Sequence, residues 1–65
     1  MNPLNLEPNL KDFDGFYEAL IDTHRDLTPA QNHELNAKLV LMLANHIGDM
    51  DVLRDAMQRA RTTVL

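Results

Sequence analysis

Six consecutive apolar residues, Leu39-Val40-Leu41-Met42-Leu43-Ala44, sit near the middle of a 65-residue chain and set the hardest condition on its fold. They belong to a longer helical pattern. Thr28 can cap a helix, Pro29 suits the first helical position, and Gln31 completes a capping box with Thr28. Gly48 supplies the left-handed residue that ends such a helix. The spacing predicts a helix over 29–47. On a helical projection its water-facing strip is narrow and consists of Gln31, Glu34, Lys38 and Asn45. Glu34 and Lys38 stand at the favourable i, i+4 spacing. Most of the remaining circumference is apolar, and a helix apolar nearly all round normally lies inside a larger core.

This chain is short for that task. A domain of about 60 residues buries only ~60% of its unfolded surface. Proteins so small usually add a disulfide, a metal, a partner or a second copy. The sequence has no cysteine, which removes disulfides and thiolate metal sites. Six apolar residues fall far below the ~20 of a membrane span. No basic segment followed by a long apolar stretch opens the sequence, so the expected setting is the cytoplasm, away from any membrane.

Two further helices flank the central one. Asp12 is a good N-cap, and Phe13, Phe16, Tyr17, Leu20, Ile21 and His24 follow with helical spacing, predicting a first helix near 12–26. Every aromatic residue lies in its first two turns, which predicts a core anchor there. Gly15 weakens this helix by up to about 1 kcal/mol relative to Ala. Asp49 caps a third helix near 50–62, where Met50, Leu53, Met57, Ala60 and Val64 form one face and Asp55 and Arg59 an i, i+4 pair. Before these, residues 1–11 hold Pro3 and Pro8, with Leu4, Leu6 and Leu10 on alternate positions. Proline biases the chain toward extended geometry, so an arm with an apolar edge is expected. The reading is an all-α, three-helix domain over 12–65 with an extended N-terminal arm, and it is oligomeric.

The net charge is −4. Residues 1–26 carry six acids against Lys11 and Arg25, whereas 27–65 balance four acids with four bases. An acidic chain with no basic stripe repels phosphate backbones, so no nucleic-acid partner is expected. Helix, glycine turn and helix also evoke a DNA-binding helix-turn-helix, but the third helix opens with Asp49 and Asp51 where phosphates would approach.

Three histidines are the best acid–base candidates. His24 and His46 lie on apolar sides of their helices, and His33 is near an exposed N-terminus. None has a partner in a recognised metal-ligand spacing, so no metal or other cofactor is expected. The simplest roles are structural: His46, near a helix end, can donate to orphan carbonyls. If a ligand site exists, the polar turn of Asn45, His46 and Asp49, with His24, is its candidate. No residue is assigned a catalytic role.

The stretches Phe16–Ile21, His24-Arg25 and Leu35–Asp49 resemble a bacterial family of short proteins known only as a domain of unknown function. The resemblance covers about residues 10–61, and Leu43-Ala44-Asn45-His46-Ile47-Gly48-Asp49 is its most specific part. The family label implies no activity. Encoding beside flavin-dependent aromatic hydroxylases, which the resemblance suggests, implies an accessory role. The expected function is thus a small non-enzymatic protein that self-associates as a dimer or docks on a larger protein. Its contacts would come from Leu4, Leu6, Leu10, Leu41, Met42 and Met57. The alternative is a small ligand- or metal-binding protein using His24 and His46.

Overall fold

The computed structural model describes residues 3–65, so Met1 and Asn2 of the expected arm lie outside it. Three helices follow in order: α1, Phe13–His24; α2, Pro29–Ile47; and α3, Met50–Val64. Among the described residues there is no strand, and no helix is long and apolar enough to cross a membrane.

Each helix starts on a side-chain cap. The Asp12 carboxylate accepts from the Gly15 N–H at 2.9 Å. That geometry accounts for the glycine, because a Cβ at position 15 would fall on the carboxylate of Asp12. The expected capping box opens α2: Gln31 N–H donates to Thr28 Oγ1 at 3.2 Å, and Thr28 N–H donates to Gln31 Oε1 at 3.0 Å. Asp49 Oδ1 accepts from the N–H groups of Asp51 and Val52 at 3.0 and 3.3 Å to open α3.

The helix ends are less uniform. Gly48 closes α2 with φ +70°, and its N–H donates to the Ala44 carbonyl at 2.9 Å. The first helix stops at His24, two residues before its expected end, because Asp26 turns the chain with φ +63°. Aspartate tolerates that left-handed conformation better than most residues. The third helix runs two residues beyond its expected end, with Thr62 and Thr63 hydroxyls donating to the carbonyls of Gln58 and Ala60.

The packing departs most from expectation. No described residue is buried, and no two helices pack together along their lengths. The aromatic end of α1 therefore anchors no core: Phe13, Phe16 and Tyr17 are all exposed, although Phe13 and Tyr17 meet with ring centroids 5.9 Å apart. The flanking helices were expected to cover part of α2, and they leave Val40, Leu41, Met42, Leu43 and Ile47 exposed around its circumference. The radius of gyration is 13.6 Å, against about 11 Å for a compact chain of this length. The accessible surface is 6056 Å2, whereas a compact monomer of this mass exposes about 4,200 Å2.

The arm is irregular rather than an extended apolar edge. Asn5 Oδ1 accepts from the Glu7 N–H at 2.9 Å and bends it. Leu4 is half-buried and shares a shallow hollow with Leu6 and with Val52, Asp55 and Arg59 of α3 in the same chain.

Candidate functional site

The helices α1 and α2 diverge like the arms of a V and leave a groove of about 530 Å3 between them. Its floor and walls are apolar, with Phe16 and Leu20 from α1, Leu27 from the turn, and Leu35, Leu39 and Met42 from α2. Gln31, Glu34 and Lys38 also line it. Three of the four residues read as a plain solvent strip are thus the polar rim of an apolar groove. Glu34 and Lys38 pair there at 3.0 Å with both side chains largely exposed, so the pair adds little stability.

One hydrogen-bonded strut fixes the V. The His24 Nδ1–H donates to the Leu20 carbonyl one turn back at 2.7 Å, and Nε2 meets Asn36 Oδ1 of α2 at 2.8 Å. With both ring nitrogens facing acceptors, the imidazolium satisfies both contacts at once. The Leu20 carbonyl, followed by Asn36, holds the His24 pKa above its ordinary 6.5 despite the opposing effect of partial burial. Neither ring nitrogen is left over for a ligand in this conformation. Nearby on α2, Asn32 Oδ1 is shielded from solvent with no hydrogen-bond partner.

The other polar candidates gather at the joint between α2 and α3. Asn45 and His46 are exposed, and Asp49 is held as the N-cap of α3. The His46 ring makes no hydrogen bond to the helix-end carbonyls, contrary to its expected role; the Gly48 N–H serves Ala44 instead. The partners of His24 are Leu20 and Asn36, so the structure does not join it to this turn. Among the described residues no group of three or more His, Asp or Glu could hold a metal ion.

The apolar candidates are spread over three surfaces. Leu4 and Leu6 lie by α3, Leu10 is exposed before α1, and Met57 is exposed on α3. Leu41 and Met42 are the most open residues of the central run, at 69% and 71% exposure, and Met42 also lines the groove. Sequence reasoning missed Asn36 and the groove itself. Asn36 lies twelve positions from His24, and only the angle between the helices brings them together.

A family model described as "Protein of unknown function (DUF2783)" matches residues 4–62. The chain belongs to this family. The match takes in the inner part of the arm, all of α1 and α2, and all but the last two residues of α3, so the family is defined by this three-helix unit as a whole. No curated protein and no solved structure matches the chain.

Proposed function

We propose that this chain is a small non-enzymatic interaction protein whose fold is completed by association. The carrying observation is that no described residue is buried while fifteen large apolar side chains stand exposed. Monomeric soluble proteins rarely expose contiguous apolar patches beyond a few hundred Å2, and larger ones mark interaction sites. Here the surface exceeds that of a compact monomer by about 1,850 Å2 per chain. Catalysis needs side chains locked by packed neighbours, a condition that this open arrangement of half-exposed helices does not supply.

Self-association is the leading form of the proposal. The same surface would serve docking on a larger protein, such as the flavin-dependent hydroxylase implied by the resemblance, with this chain as an accessory subunit. A native state that exists only in association has a melting temperature that depends on concentration. Thermal melts followed by circular dichroism over about a hundredfold concentration range should therefore rise with concentration. A cooperative melt that is independent of concentration defeats self-association.

A further inference from the structure

We infer that a second copy of this chain fills the α1–α2 groove, with the two α2 helices antiparallel and each seated between the arms of the other's V. The inference rests on the self-association proposed above and names its surface.

The first argument is the spacing on the groove side of α2. Leu35, Leu39, Met42 and His46 follow one another at steps of four, three and four, the heptad step that keeps two helices in contact over several turns. That seam is symmetric about a point between Val40 and Leu41. Reversed against itself, it sets Leu39 beside the partner's Met42 and Leu35 beside the partner's His46. A two-fold interface must be self-complementary in this way. An unrelated partner would have no reason to match a palindromic seam.

Charge gives the second argument. From Leu39 to Ile47 the only ionisable side chain is His46, so closing the two helices desolvates no carboxylate, lysine or arginine at their centre. Glu34 and Lys38 already neutralise each other at the rim, and the reversed copy brings the same balanced pair. The acids that give the chain its net charge, among them Asp14 and Glu18, lie outside the groove on α1.

Area gives the third. If each chain covered its excess of about 1,850 Å2, the pair would bury about 3,700 Å2, inside the ~2,000–5,000 Å2 range of obligate dimers. The most exposed members of the central run, Leu41 and Met42, sit beside the axis, where burial would be deepest.

The test uses the full chain and two opposite charges at Met42, whose exposure means that the single chain's fold does not depend on it. The wild type should be a dimer by native mass spectrometry, and Met42→Glu and Met42→Lys should each be monomers with dimer affinity lowered at least about a hundredfold, the cost expected of burying like charges together. Mixing the two variants should restore a mixed dimer. A wild-type dimer that Met42→Glu leaves equally tight overturns the α2 interface and leaves self-association standing; a wild-type monomer defeats self-association itself. Because the sequence has no cysteine, a cross-linker gives a second readout. A short bis-maleimide should join two copies of Met42→Cys and leave Glu18→Cys as single chains. The opposite pattern overturns the inference.

Discussion

At the scale of single residues, the parts of this protein that act over three or four positions are readable in its sequence, and those that act across the V are not. The Thr28–Gln31 box and the Asp12 and Asp49 caps depend only on local spacing, and each forms. The His24–Asn36 strut depends on the angle between helices, so the sequence marked His24 as structural without naming its partner. That strut has a pH signature. Its hydrogen bonds favour imidazolium, which raises the folded-state pKa above the unfolded value. The contribution to stability is then complete below about pH 6.5 and is lost as pH rises through the raised folded value. Proton NMR titration of the His24 ring should give a pKa above 6.5. Asn36→Leu, which removes the smaller of the two causes, should lower it part of the way. A wild-type His24 that titrates at or below 6.5 contradicts the strut.

The helices themselves are legible because their periodicity and caps agree, and α2 has the expected bounds. The ends of α1 and α3 shift by two residues where the deciding feature is weakly encoded. Asp26 adopts a positive φ without being glycine, and two threonines prolong α3 through their own hydroxyls. The joint between α2 and α3 is the element on which the arrangement turns, since only Gly48 and Asp49 separate the two helices. At Gly48 the constraint is conformation and not space: a Cβ would meet nothing closer than the Asn45 carbonyl oxygen at 3.7 Å, but φ is +70°. Gly48→Ala should accordingly destabilise the protein by about 1–2 kcal/mol, measured by urea denaturation, through left-handed strain alone. A neutral substitution would mean that the joint takes another conformation.

For the whole molecule, the length and apolar content of α2 already implied more greasy surface than two short helices can cover. The structure enlarges that shortfall, because the flanking helices diverge and leave the central run open around its circumference. The groove escaped the sequence for a physical reason: its polar rim of Gln31, Glu34 and Lys38 has the composition of an ordinary solvated face. What covers Leu39 to Ala44 is therefore the central question of this fold, and the account answers that a second copy does. Sedimentation equilibrium of the unmodified chain tests this most directly. The account predicts a mass twice the 7.4 kDa of one chain, falling toward 7.4 kDa only on strong dilution. A mass of 7.4 kDa at every concentration would contradict it.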